Sequence, residues 1–205
     1  MLEIKNIRVY GLDESCVASG YPMSTGDTDV INGYTGKDLN RMKRLGNAPS
    51  GSGHDCALKG IIVQLDVKAP VKWWVQAQRY HWFDFVSSQA TMHRISKMNL
   101  ETCMDEHVDK RITDIIMELQ NDYLVKQEIA KQTGSESAKK AAKDAYLALL
   151  LSCPVGINLT ARMTTNYLQL KTMYHQRKNH LLPHWHVFCD WVETLPHAKD
   201  FGVAD

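Results

Sequence analysis

An α+β fold is predicted from two observations. Early in the chain, two runs carry the spacing of strands, whereas most of the remainder shows the 3.6-residue spacing of helices. The 205 residues, 44% apolar and 23% charged, suit one domain over 1–205 with a sizeable core.

Residues 2–10 read as a strand, with Ile4, Ile7 and Val9 apolar. From 11 to 53 the chain is rich in Gly, Ser, Thr, Asp and Asn, with a short helix at 37–45 and a loop at 47–53. The second strand is expected at 58–67, where Ile61, Val63, Leu65 and Val67 alternate with Ile62, Gln64 and Asp66. Pro70 then opens a helix, tolerated in a first turn that needs no N–H there, and the helix runs through Trp73, Trp74, Gln76 and Arg79. Residues 87–100 fit neither period. A helix is expected at 106–131, with Val108, Ile112, Ile115, Ile116 and Leu119 on one face. Gly134 to Ser137 break it, an Ala/Leu-rich helix follows at 138–151, and Cys153-Pro154-Val155-Gly156 ends that one. Further helices are expected at 164–179 and 183–195, and the tail from about 196 is expected to be loose.

A formal charge of +1 leaves no global field to recruit nucleic acid or an acidic membrane surface. No run approaches the roughly 20 apolar residues that span a bilayer, and residues 1–10 lack the apolar core of a signal peptide. Five scattered cysteines without a C-x-x-C pair suggest neither a disulfide framework nor a zinc knuckle, so reduced, inert thiols and a cytoplasmic setting are expected. The formal glycosylation sequon at Asn158 would then be silent.

Two polar faces are candidate sites. Lys72, Gln76 and Arg79 fall at i, i+4 and i+7 beside Trp73, Trp74, Tyr80 and Trp82, which suits a flat anionic ligand, although spacing alone favours a solvated charged face next to core tryptophans. Asn166 and Arg177 are eleven positions apart, so on one helix they would share a face about 16 Å long. His175, His180, His184 and His186 invite a metal reading, but no recognised ligand spacing completes it, and exposed or capping histidines fit better. Gly33 to Asp38 fails the phosphate-loop pattern, because the glycines are too close and Asp38 stands where Ser or Thr would hold magnesium.

Taken in order, several segments resemble the flavin-dependent thymidylate synthases, the ThyX family. Gly53-His54, Lys68-Ala69-Pro70 and Gln76-Ala77-Gln78-Arg79 follow that family's Gly-His, strand end and Q-x-x-R without a gap. Met92 to Lys97 is similar to its S-x-R-Y-S loop, and Pro154, Asn166 and Arg177 match a late Pro, Asn and Arg at the same spacing. Val17-Ala18-Ser19 is a fainter echo. The resemblance implies a small antiparallel sheet flanked by several helices. It also implies reductive methylation of dUMP with FAD, NADPH and methylenetetrahydrofolate, and no cysteine nucleophile. His54, Arg79, His81 and Asn166 would line the flavin, while Gln76, Arg94 and Arg177 would face the nucleotide. Arg177 would balance negative charge developing on the uracil ring. The family's homotetramer shares each site between subunits.

The chain departs from the pattern at several positions. The family's R-H-R reads Arg79-Tyr80-His81, its following Ser and Asn-Glu give way to Asp84 and Ser87-Ser88-Gln89, a phosphate-binding arginine becomes Leu150, and an asparagine becomes Thr172. His81 lacks arginine's permanent charge, and Leu150 removes a bidentate phosphate contact. A retasked or non-catalytic relative is therefore the alternative to the enzyme, and an unrelated helical interaction protein is a third reading.

Overall fold

The computed structural model describes residues 1–26, 30, 32–49 and 51–205. Ser50, within the loop expected at 47–53, lies outside them, as do 27–29 and 31 in the polar stretch. Four strands form one antiparallel sheet in the order β1 (Glu3–Tyr10), β2 (Ile62–Pro70), β4 (Asn158–Asn166), β3 (Asp84–Ser88). The helices are α1 (Leu12–Ala18), α2 (Gly36–Gly46), α3 (Val71–Ala77), α4 (Thr91–Arg94), α5 (Leu100–Cys103), α6 (Lys110–Thr133), α7 (Glu136–Leu151), α8 (Tyr167–Arg177) and α9 (His184–Glu193). The chain makes two compact units, both discontinuous in sequence, so no compositional boundary marks them. One comprises Met1, 68–74 and 88–160, the other 2–67, 75–87 and 161–205.

In the first unit, α6 and α7 form a helical hairpin. Gly134 turns it in the left-handed conformation at φ 64°, where a Cβ would be strained, and the Ser135 hydroxyl accepts the Ala138 N–H to start α7. The core is Ile95, Met98, Leu100, Ile116, Leu149 and Ile157. Gln120 ties the 95–98 turn down by donating to the carbonyls of Ile95 and Met98. The apolar face expected on α6 is only partly buried. Ile116 is 2% exposed, but Ile112 and Ile115 are 41% and 50% exposed, because α7 covers one side of a helix whose apolar residues occupy more than one side.

In the second unit, Ile61, Val63, Leu65 and Val67 are fully buried, as their alternation requires. The strand begins at Ile62 rather than 58, since Cys56–Gly60 coil into a 3-10 helix. Helix α2 starts on a capping box between Thr35 and Asp38, a local signal readable in the sequence.

Three expectations need correction. The helix expected at 164–179 begins only at Tyr167. Residues 158–166 are strand β4, whose Ala161, Met163 and Thr165 alternate inward. The helix after Pro70 stops at Ala77, where Arg79 and Tyr80 turn their N–H groups onto Gln76 and Ala77, so Arg79 leaves the face of Lys72 and Gln76. The tail is not loose, because Ala198, Phe201, Val203 and Ala204 are buried and the Tyr167 hydroxyl donates to Pro196 O at 2.7 Å.

Candidate functional site

Four segments of the second unit converge on one indole. Gln76 sits near the end of α3, Tyr80 in the turn after it, Gln176 and Arg177 at the end of α8, and Trp185 in the first turn of α9. Trp185 is fully buried, and its ring N–H donates to Gln76 Oε1 at 2.7 Å. The guanidinium carbon of Arg177 lies 4.8 Å from the Trp185 ring centroid and 5.4 Å from that of Tyr80, close enough for both rings to attract the cation. Arg177 Nε donates to the Tyr80 hydroxyl at 2.6 Å, and that hydroxyl donates to Gln176 Oε1 at 3.1 Å. The terminal guanidinium nitrogens make no hydrogen bond among the described residues. His180 packs against Trp185, and its Nδ1 accepts the Leu182 N–H at 3.0 Å. Burial, then the charges of Arg177 and His186, hold the His180 imidazole below its usual pKa, which favours a neutral ring there.

The four expected flavin residues line three separate hollows. Asn166 is extended and ends β4, outside α8, so it does not share a helical face with Arg177. Its Oδ1 accepts the Gln169 N–H at 2.9 Å and caps the helix. Beside it, Lys59, Ile62, Leu168, Thr172 and the exposed Trp82 line a hollow of about 330 Å³. Arg79 and His81, both exposed, line another of about 360 Å³ with Phe83 and Phe85. His54 borders a third, of about 570 Å³, with Ser15, Ser19, Arg41, Arg44 and Cys56. Arg94 ends α4 with its side chain exposed. Within one chain, Gln76 and Arg177 are thus brought together through Trp185, and Arg79 and His81 share a hollow that Asn166 does not line.

The loop carrying His54 is anchored from α8. Lys171 Nζ donates to Gly46 O at 2.7 Å, Ala48 O at 3.2 Å and Asp55 Oδ2 at 2.9 Å, with both charged groups buried. The remaining histidines do not assemble a site. Among the described residues no three His, Cys, Asp or Glu side chains could hold a metal ion. His175 contacts Gly202 O and His186 is exposed, but His184 is buried rather than exposed or capping. Burial pushes the Cys16 and Cys153 thiols up to about 11 and Cys189 up to about 12, so these three are poor nucleophiles at neutral pH.

No family model matches the sequence, and no curated protein does. Solved structures do match. Two crystal structures of the flavin-dependent thymidylate synthase ThyX from Helicobacter pylori, both with FAD and dUMP, align at TM-scores of 0.66 and 0.65 and 12% identity. They cover 98% and 99% of this chain and 97% of theirs. The chain has the ThyX fold. A UMP/dUMP methylase, PolB from Streptomyces cacaoi bound with 5-Br dUMP, aligns over 100% of this chain and 96% of its own at a TM-score of 0.57 and 13% identity. At such identities the ThyX fold is shared, and a shared fold by itself assigns no role to a side chain.

Gln176 and Trp185 were not singled out from the sequence, and Tyr80 was named only beside Lys72, Gln76 and Arg79 and as a departure from the family's triplet. Trp185 and Gln76 are 109 positions apart, and Arg177 and Tyr80 are 97 apart, so no local spacing announces either contact.

Proposed function

We propose that this chain catalyses reductive methylation of dUMP, or of a related pyrimidine nucleotide, with FAD as cofactor, NADPH as reductant and methylenetetrahydrofolate as carbon donor. The supporting observation is the meeting of Gln76 and Arg177, the nucleotide residues implied by the resemblance, on one buried indole. It occurs in a chain whose whole length follows the fold of proteins solved with dUMP or 5-Br dUMP.

In this reading Arg177 supplies a fixed positive charge where negative charge develops on the uracil ring, already oriented before the ligand arrives. Gln76, its carbonyl held by Trp185, keeps its NH₂ to donate to a ring carbonyl. Arg94 would contribute a charge-assisted contact to the nucleotide.

The residues present fit a flavin in character. Trp82, Ile62 and Leu168 offer apolar surface, Asn166 an amide, and Lys59, Arg79 and His81 polar or cationic groups. His54 borders the largest of the three hollows. When bound, FAD would supply the reducing equivalents for forming the methyl group. Hollows of about 330, 360 and 570 Å³ lie in the lower half of the roughly 300–1,000 Å³ usual for ligand pockets. Each suits part of a dinucleotide, which agrees with a homotetramer whose sites are completed by neighbouring subunits. Among the described residues no helix is long and apolar enough to cross a membrane, and a cytoplasmic setting belongs to the same proposal.

The test is rescue of a thymidine auxotroph, paired with conversion of dUMP by the purified protein given FAD, NADPH and methylenetetrahydrofolate. Rescue and turnover that vanish in Arg177→Ala would support the reading, and full activity in that variant would remove it.

A second reading keeps the fold and a nucleotide or flavin pocket without methylation. Leu150 favours it. Where the resemblance has a phosphate arginine, this leucine is partly buried against the apolar core of the first unit. Bound nucleotide or flavin with neither rescue nor turnover would support this alternative.

A further inference from the structure

Tyr80 stands where the resemblance has a histidine, and its surroundings give it a task. A tyrosine hydroxyl has one proton to donate and lone pairs to accept with. Here the proton goes to Gln176 Oε1, which turns a lone pair toward Arg177 Nε, only 2.6 Å away. Below the guanidinium, the rings of Tyr80 and Trp185 meet edge to face with centroids 6.1 Å apart, and Gln76 pins the indole. An arginine side chain ordinarily gives up considerable rotamer freedom on binding a ligand. One already held through Nε and two ring faces has less left to lose, and its terminal nitrogens stay available as a two-pronged donor.

We propose that Tyr80 is a positioning residue for nucleotide recognition: through its hydroxyl it holds Arg177 so that a terminal guanidinium N–H meets the 4-carbonyl oxygen of a pyrimidine-2,4-dione. The inference rests on the reading that Arg177 binds the nucleotide, and it adds a specificity element. A guanidinium N–H donating to the 4-carbonyl oxygen of the dione would meet in cytosine a 4-amino group, itself a donor, so the contact at position 4 separates the two bases.

The experiment is calorimetric titration of the full-length protein with dUMP and with dCMP, comparing wild type, Tyr80→Phe, Gln176→Leu, Arg177→Ala and the Tyr80→Phe/Arg177→Ala double variant. Phenylalanine keeps the ring against Trp185 and removes only the hydroxyl, the acceptor for Arg177 and the donor to Gln176. With the arginine no longer held in advance, ordering it on binding should weaken dUMP affinity roughly 2- to 12-fold, while the protein stays folded with a melting temperature lowered by only a few degrees. The preference for dUMP over dCMP should narrow in parallel. Gln176→Leu should give a smaller loss in the same direction. In the Arg177→Ala background Tyr80→Phe should have no further effect, since the hydroxyl acts only through the arginine. Wild-type affinity in Tyr80→Phe, or an equal loss with and without Arg177, would overturn the positioning role while leaving the nucleotide reading intact. If the wild type binds neither nucleotide, the reading itself fails, and this inference with it.

Discussion

Lys171→Met is expected to be the most damaging single substitution that touches no proposed ligand contact. The ammonium of Lys171 has three protons and three acceptors, namely the carbonyls of Gly46 and Ala48 and the carboxylate of Asp55. Lysine and aspartate are each about 5% exposed, so water cannot take over when one partner is removed. Methionine fills similar volume but leaves a buried carboxylate unpaired and two carbonyls without their donor. Breaking a buried pair from one side typically costs about 3–5 kcal/mol. For a chain of this size each kcal/mol moves the melting temperature by about 2–4 °C, so a fall of roughly 6–20 °C is expected. Circular dichroism during heating, with urea denaturation alongside, reads both quantities. Adding Asp55→Asn should recover part of the loss, because the uncompensated charge is gone. Because Lys171 anchors the loop bearing His54, flavin affinity should also weaken well below the melting temperature. A Lys171→Met protein that melts within about 2 °C of its parent would refute this reasoning.

Other outcomes follow from the same geometry. Arg177→Ala should abolish turnover and let the His180 pKa rise part-way toward its ordinary value, since burial, the larger depressing influence, stays; an unmoved imidazole titration by NMR would contradict this. Arg94→Ala should raise the nucleotide Kd by tens-fold, the worth of a charge-assisted bond of about 1.5–3 kcal/mol, and unchanged calorimetric affinity would dismiss the contact. The Thr35 hydroxyl and N–H, aided by Arg41, pull the Asp38 carboxyl down to about 2 from an unfolded value near 3.9. Its contribution is therefore fully present above about pH 3.9 and lost as pH falls toward 2, and Thr35→Val should flatten the melting temperature's pH dependence over that window. Gly46→Ala would put a Cβ 2.5 Å from Phe201 O, so it should cost about 1–3 kcal/mol by prising the tail away; parental stability in denaturant would argue against the docked tail.

The sequence and the structure agree where local chemistry decides the conformation. The alternation through Ile61, Val63, Leu65 and Val67 showed which face of β2 is buried, and the short helix expected at 37–45 is α2, Gly36–Gly46. Disagreement begins where a local pattern has two readings. The stretch 158–166 has the β-branched threonines of a strand, but it runs directly into α8, and reading the helix from 164 concealed both β4 and the capping role of Asn166. Nothing local stops α3 at Ala77, and the polar, Pro- and Gly-containing tail hides the burial of Phe201 and Val203. In the site, Gln76 and Arg177 stood on two polar faces read from spacing, and the family resemblance gave both to the nucleotide. Tyr80 was named as an aromatic of the first face and as a departure from the family, but its contact with Arg177 was hidden, because that partner is 97 positions away.

In the proposed function these hollows and the Gln76–Trp185–Arg177 cluster serve one flavin and one pyrimidine nucleotide. The most direct measurement is the visible absorbance spectrum of the protein after incubation with FAD and gel filtration, recorded before and after adding dUMP. Flavin bands that travel with the protein and shift when dUMP is added are the expected result. A colourless protein fraction, with all the FAD eluting separately, would contradict the account.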